Sequence, residues 1–156
     1  MTLSVCIATH ERSRLLAATL EALSRQSRPP DEIVVSDSSD SGDARNVVAA
    51  FSTRHPGLSI RHVPSSRKAL PWQRWWAFKH SGGAVILFLD DDVTLSSLAV
   101  EALERLYTDC KANPKTRIAG AGFWIAFEDG TRTDRRPGSL KERWLGTSRL
   151  PSGSIT

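Results

Sequence analysis

Ala84-Val85-Ile86-Leu87-Phe88-Leu89-Asp90-Asp91-Asp92 is the stretch that decides how the rest of the chain is read. Its six apolar residues are entered from Gly82-Gly83 and ended by three carboxylates. That is the form of a buried parallel strand that stops where it meets solvent. Three adjacent carboxylates repel one another unless a cation or a hydrogen-bonding shell offsets their charge. In open α/β sheets, ligands lie outside the carboxyl ends of the strands. Hard oxygen donors at such an end suit Mg²⁺ or Mn²⁺, which in turn hold a phosphorylated substrate. The plainer alternative is a solvated acidic turn before a helix, whose N-terminus favours negative charge.

Upstream, residues 3–8 read as a first strand. Ser13 is placed to cap a helix whose apolar positions Leu16, Ala17, Leu20 and Leu23 recur at helical spacing and which stops before Arg28-Pro29-Pro30. Ile33-Val34-Val35 is a second short strand, closed by a polar run from Ser36 to Gly42. A helix carrying Val47, Val48 and Phe51 follows, then Pro56-Gly57 and a third strand over residues 58–63. Residues 68–80 read as a helix with Pro71 near its first turn. Its aromatics Trp72, Trp75 and Trp76 suit core or acceptor-side packing better than a stacking platform. Downstream of the aspartates, Leu95, Leu98, Ala102, Leu103, Leu106 and Cys110 share one helical face. Residues 118–127 form the fifth expected strand, and Asp129-Gly130 is a turn signal. Four alternations of strand and helix predict βαβ units and a mostly parallel sheet with helices on both faces.

The chain has 156 residues, enough for one domain with a sizeable core and short for two. It has no low-complexity tract and no solenoid-length repeat. Cys6 and Cys110 lack metal-ligand spacing and read as small buried hydrophobes, so nothing calls for an oxidising compartment. The start, Met1-Thr2-Leu3-Ser4-Val5, has the form of neither a signal nor a transit peptide, and the longest apolar run is too short to span a bilayer. A cytoplasmic protein is expected. The net charge of +4 is uneven, with Arg132, Arg135, Arg136, Lys141, Arg143 and Arg149 in the last quarter. Such a stretch can meet an anionic membrane face. It can equally bind nucleic acid, but with only Trp144 among its aromatics it forms no stacking ladder and reads rather as a solvated tail, so no nucleic-acid partner is expected.

No Walker A loop and no Gly-x-Gly-x-x-Gly turn follows the first strand, which removes the main support for P-loop and dinucleotide readings. Ala119-Gly120-Ala121-Gly122 lies late and is better explained by close packing. The strand ends present instead Thr9-His10-Glu11-Arg12, then Asp37, then Asp90-Asp91-Asp92. A carboxylate at the second strand's end suits a base edge or a ribose hydroxyl, and the acids at the fourth suit a metal-bound diphosphate. Those are the needs of a nucleotide-sugar site. His10 and His62 read as a turn and a strand residue rather than ligands.

Four motifs in order resemble the family 2 glycosyltransferases. Ser4-Val5-Cys6-Ile7-Ala8-Thr9-His10-Glu11-Arg12 looks like their opening strand. Asp31-Glu32-Ile33-Val34-Val35-Ser36-Asp37-Ser38-Ser39 resembles their second strand with its nucleotide-binding Asp. Leu70-Pro71-Trp72-Gln73-Arg74 is similar to their helix start with an Arg near the base, and Leu87-Phe88-Leu89-Asp90-Asp91-Asp92 to their DxD strand. The resemblance covers about residues 1–127, leaving 128–156 as a basic, irregular segment. It implies a GT-A (Rossmann-like) fold, a nucleoside-diphosphate-sugar donor, a divalent metal (Mg²⁺ or Mn²⁺) and inversion at the anomeric carbon. It puts Thr9 and Asp37 at the nucleoside, Arg74 at the base or diphosphate, Asp90 on ribose and metal, Asp92 on the metal, and Asp91 at the variable middle position of the donor site. Trp75 stands where the family often has Asn, and Glu11 where Asn is common.

The resemblance also implies a general base on an acidic motif in an acceptor-binding half, and this sequence ends after the fifth expected strand. Glu128-Asp129 reads as a hairpin turn rather than a substitute base. The expectation is a donor-binding part that works on a saccharide or lipid-linked acceptor, with room for a complementary chain and for association with the inner membrane face. Two rival readings stand beside it. One is a nucleotide-binding remnant or subunit of a split enzyme, without turnover. The other is a haloacid-dehalogenase-type phosphatase, with Asp90 as nucleophile and Asp92 as general acid, although that family carries its acidic motif on the first strand.

Overall fold

The computed structural model describes residues 1–93 and 95–112. The fifth strand expected over 118–127, the Ala119–Gly122 run, Glu128-Asp129 and the basic segment 128–156 lie outside the described residues. The chain divides into two compact units, Met1–Glu101 and Ala102–Thr156. The first holds the sheet and its helices, and the described part of the second is the remainder of the last helix.

The elements alternate as the apolar periodicity predicts. They run β1 (Leu3–Thr9), α1 (Ser13–Ser24), β2 (Glu32–Asp37), α2 (Asp43–Arg54), β3 (Ser59–Pro64), α3 (Leu70–Lys79), β4 (Val85–Asp90) and α4 (Ala99–Ala112). The four strands are parallel, in the order β3-β2-β1-β4. Every residue of β1 is buried, as a central strand covered on both faces requires.

Side chains alternate across the sheet and divide the core in two. On one face Leu3, Val5, Ile7, Ile33, Val35 and Leu89 pack with Leu16, Leu20 and Leu23 of α1, with Ala44, Val48 and Phe51 of α2, and with Val100. On the other, Cys6 and Val34 meet Ala77 of α3, with Val63 and Ile86 beside them. The small Ala77 lets α3 lie close over β1 and β2. Burial pushes the Cys6 thiol up to about 11, so it is an inert core residue.

Some expectations are corrected. Ser13 is not a cap: Arg12 occupies the N-cap position without a side-chain cap bond. Its carbonyl accepts the Leu16 amide at 3.0 Å, so Ser13 is already the first helical residue. The last helix begins at Ala99 rather than before Leu95, because a turn closed by the Ala99 amide on the Ser96 carbonyl intervenes. Leu95 still packs against the core, but Leu98 is exposed. Cys110 is half-buried, not buried. The tryptophans are not core either. The buried residues of α3 are Gln73 and Ala77, while Trp75 and Phe78 are exposed and Trp72, Trp75 and Trp76 pack on one another with ring centroids 4.8 to 6.0 Å apart. No helix among the described residues is long and apolar enough to cross a membrane.

Candidate functional site

Strand order dictates where a ligand can enter. From β1 the chain steps outward to β2 and β3, then returns to lay β4 on the opposite side of β1. The carboxyl ends of β1 and β4 are thereby side by side, with the stretch after β4 running along α1, where the Thr19 hydroxyl donates to the Asp91 carbonyl and the Ser27 amide to the Ser97 carbonyl. A cleft of about 270 Å³ lies there, lined by Thr9, His10 and Arg12 after β1, Gln73 of α3, and Asp90, Asp91 and Asp92 after β4.

The three aspartates have different surroundings. Asp91 is buried. Its Oδ2 accepts the Thr9 hydroxyl at 2.7 Å, and its carbonyl accepts the Thr19 hydroxyl at 2.8 Å. Asp90 and Asp92 have about half of their side-chain surface open. Arg74 Nη2 lies 2.6 Å from Asp90 Oδ1. Arg12 Nη1 reaches Asp91 Oδ1 at 3.4 Å and Asp92 Oδ2 at 3.2 Å. Two guanidinium groups thus offset the mutual repulsion of three carboxylates. Arg74 Nε is a buried donor with no hydrogen-bond partner among the described residues. No three metal-binding side chains among them converge into a closed cation cage.

Asp37 sits one strand over, paired in register with Thr9. It does not line the cleft. Its Oδ1 accepts the Ser39 amide at 2.8 Å, and its Oδ2 lies 2.9 Å from His62 Nε2. Burial alone would raise its pKa, but the bonds from His62 and Ser39 outweigh it and hold the carboxyl below its usual value. Gln73 ties this region to the cleft. Its amide nitrogen donates to the Thr9 carbonyl at 2.8 Å and the Ser38 hydroxyl at 2.9 Å.

The loops after β1 and β2 also hold each other. Glu11 adopts φ +53, in the left-handed region that Asn enters more readily than Glu. Its carboxylate accepts the Asp40 amide at 2.6 Å and the Ser41 amide at 3.3 Å, while its own amide donates to Ser39 Oγ at 2.7 Å. The Asp40 amide is the main reason the Glu11 carboxyl lies below its ordinary value. His10 Nδ1 is 3.1 Å from the Ser38 carbonyl.

Of the residues expected at a site, Thr9, Asp90, Asp91 and Asp92 meet at one cleft, Arg74 joins them through Asp90, and Asp37 stands beside Thr9 facing His62. Sequence reasoning passed over Arg12, Gln73 and the pairing role of His62. Arg12 and Gln73 both lie inside the quoted motifs. A readable signal for Gln73 was its place four residues before Ala77, a polar side chain on the helix's inward face.

The family model described as glycosyl transferase family 2 matches residues 4–149. A search of curated proteins finds no match. Among solved structures, the mannosyltransferase PcManGT from Pyrobaculum calidifontis, in complex with GDP-Man and Mn²⁺, is 24% identical with a TM-score of 0.66 over 80% of this chain and 35% of that one. S. aureus TarS 1-349 is 20% identical with a TM-score of 0.60 over 71% of this chain and 33% of that one. The same TarS fragment in complex with UDP-GlcNAc is 15% identical with a TM-score of 0.57, covering 83% and 42%. At these identities the likeness is one of fold, and the chain spans about a third to two-fifths of the length of these structures.

Proposed function

The chain belongs to the family 2 glycosyltransferases, and on that premise we propose that it binds a nucleoside-diphosphate sugar for inverting transfer to a saccharide or lipid-linked acceptor. The observation that carries this reading is the meeting of Thr9, Arg12, Gln73 and the three aspartates at the carboxyl ends of β1 and β4. The nucleotide sugars held by PcManGT and TarS, which share the fold, support the class of ligand.

The roles proposed are those that the family resemblance implies. Asp37 and Thr9, adjacent on β2 and β1, receive the nucleoside. Arg74 faces the base or diphosphate, and its unpartnered Nε is a donor that an anionic oxygen would satisfy. Asp90 and Asp92 are the two acids with open oxygens. A hard divalent cation, Mg²⁺ or Mn²⁺, is held in this manner by one or two carboxylates with substrate phosphates completing its shell, so the two acids need no closed cage among the described residues. When bound, the cation offsets charge on the departing diphosphate. Arg12 keeps the acids close together beforehand, and Asp91 locks the end of β4 to Thr9. Inverting transfer is one displacement: the acceptor oxygen bonds to the anomeric carbon as the carbon–oxygen bond to the diphosphate breaks. The acceptor proton passes to a general base within hydrogen-bond reach. The three aspartates after β4 are committed to Thr9, the arginines and the donor, so none of them is assigned that part. Two free thiols fit a reducing, cytoplasmic setting.

The test is titration calorimetry of UDP and GDP against the parent and Asp92→Ala, with and without Mn²⁺. The expected result is Mn²⁺-dependent binding by the parent that Asp92→Ala weakens at least about tenfold, the scale of losing a charge-assisted contact. Equal affinity in both proteins, with and without metal, would overturn the assignment. Binding without sugar transfer across a panel of acceptors would favour the non-catalytic subunit reading. The phosphatase reading has less support, because the acidic strand is the fourth in the chain rather than the first.

A further inference from the structure

We infer that His62 is a positioning residue of the donor site, holding the Asp37 carboxylate in the orientation that receives the nucleoside. The inference rests on the donor-site reading and assigns a role to a residue on β3, an element otherwise remote from the cleft.

The geometry is specific. Asp37 and His62 are diagonal neighbours across the β2–β3 pairing, since His62 is in register with Val35 and Asp37 with Pro64. Parallel pairing puts both side chains on the same face. The Asp37 side chain has 4% of its surface open and that of His62 has 12%. A carboxylate so buried cannot rely on water to orient it and needs fixed donors. Among the described residues Ser39 and His62 supply them: the Ser39 amide takes Oδ1 at 2.8 Å, the Ser39 hydroxyl adds a second local bond, and the His62 ring takes Oδ2 at 2.9 Å. An ionised carboxylate is acceptor-only, so Nε2 carries the hydrogen in this pair.

The two residues act differently. The Ser39 bonds are local, two residues along the chain, and follow from the turn after β2. The His62 bond comes from another strand and fixes the carboxylate's rotation about its own axis. A carboxylate offers about four lone-pair positions. With the Ser39 amide, the Ser39 hydroxyl and His62 bonded to it, the carboxylate has capacity left for a single further donor, which we assign to a nucleobase edge or a ribose hydroxyl. Without His62 the carboxylate keeps its burial and its turn bonds but loses its rotational lock. The nucleoside then has to order the acceptor it binds, and affinity falls. A diphosphate lacking a nucleoside never touches this pair.

The experiment uses the full 156-residue chain and measures binding of UDP, GDP and inorganic pyrophosphate in the presence of Mn²⁺ for the parent, His62→Leu and His62→Gln. Gln places an amide N–H donor near the position of Nε2, whereas Leu fills the space without a donor. The expected result is about a tenfold loss of UDP or GDP affinity in His62→Leu, the scale of one hydrogen bond to a charged group. His62→Gln should recover most of that loss, and pyrophosphate affinity should be unchanged throughout. Equal losses for nucleotide and pyrophosphate, or a His62→Gln protein as weak as His62→Leu, would reduce His62 to a packing role and overturn the inference. Parent-like nucleotide binding by His62→Leu would overturn it as well, leaving the donor site standing. A parent that binds no nucleoside diphosphate would overturn the donor site itself, and the role of His62 with it.

Discussion

At the scale of single residues, the aspartate triplet separates by burial what its sequence presents as uniform. Asp91, the middle acid, is the one tied into the protein, accepting the Thr9 hydroxyl and lying 3.4 Å from Arg12. Removing its carboxylate leaves a buried Thr9 hydroxyl without an acceptor and frees the end of β4. Asp91→Ala is therefore expected to lower stability by about 1–3 kcal/mol, the penalty of an unsatisfied buried polar group. Asp92→Ala, at an exposed position, should change it by no more than about 0.5 kcal/mol. Urea denaturation of both variants reads the contrast, and equal stabilities would show that Asp91 is no more structural than its neighbour. Glu11 is the other residue whose sequence reading changes in three dimensions. Its left-handed backbone explains why Asn would sit easily there. Its carboxylate nonetheless holds two amides of the loop after β2, a reach that the shorter Asn side chain does not have.

At the scale of elements, β4 is joined to β1 at both ends by different chemistry. Its carboxyl end is held by the Thr9–Asp91 bond. Its entrance is held by Gly83, whose amide donates to the Ser4 hydroxyl at 2.8 Å. A Cβ on Gly83 would lie 2.5 Å from Ser4 Oγ and 2.6 Å from the Ser4 backbone nitrogen. The second atom cannot swing away, so Gly83→Ala must push β4 outward from β1. The expected cost is about 1–3 kcal/mol, typical of overpacking. Because the Ala8–Asp90 pairing lies on the same two strands, donor affinity should fall with it. By contrast a Cβ on Gly82 meets nothing within 4 Å, so Gly82→Ala is the control, read by thermal denaturation alongside Gly83→Ala. Equal midpoints for the two would show that the close approach at Gly83 is not constraining. Helix α3 carries the other element-scale lesson. Of its conspicuous tryptophans Trp75 is exposed and Trp72 and Trp76 are half-buried, while the buried Gln73 bridges the ends of β1 and β2.

At the scale of the whole molecule, carboxylates held below their ordinary values are spread over both ends of the sheet. Glu11 owes this chiefly to the Asp40 amide and exposed Asp40 to Lys68. In Asp31, Glu32 and Asp37 burial works the other way and is outweighed by hydrogen bonds. A carboxyl whose folded value is depressed contributes stability that is fully present above its unfolded value. Those values are 3.8 for Asp and 4.5 for Glu. The contribution is lost as pH falls through the folded value. The urea midpoint is therefore expected to hold steady from neutral pH down to about 5.5 and to fall increasingly below about 4.5. A midpoint that stays constant down to pH 3 would show that these bonds do not favour the ionised forms. Much of the molecule was legible in the sequence alone, namely the order and type of the eight elements and the acids that end β4. The reason is that apolar periodicity, turn residues and strand-end polarity are properties of neighbouring residues. The expected cap at Ser13 and the helical start before Leu95 failed because the competing backbone bonds, from Leu16 to Arg12 and from Ala99 to Ser96, leave no mark in residue type. Only the tertiary structure decided the strand order that sets β4 beside β1, and with it which acid is buried, which lysine or arginine meets which carboxylate, and that His62 faces Asp37. Those contacts join residues 82 positions apart for Thr9 and Asp91, 64 for Gln73 and Thr9, and 25 for His62 and Asp37. No local pattern encodes such pairings, because they come into being only when distant strands are laid side by side to bury both faces of one sheet.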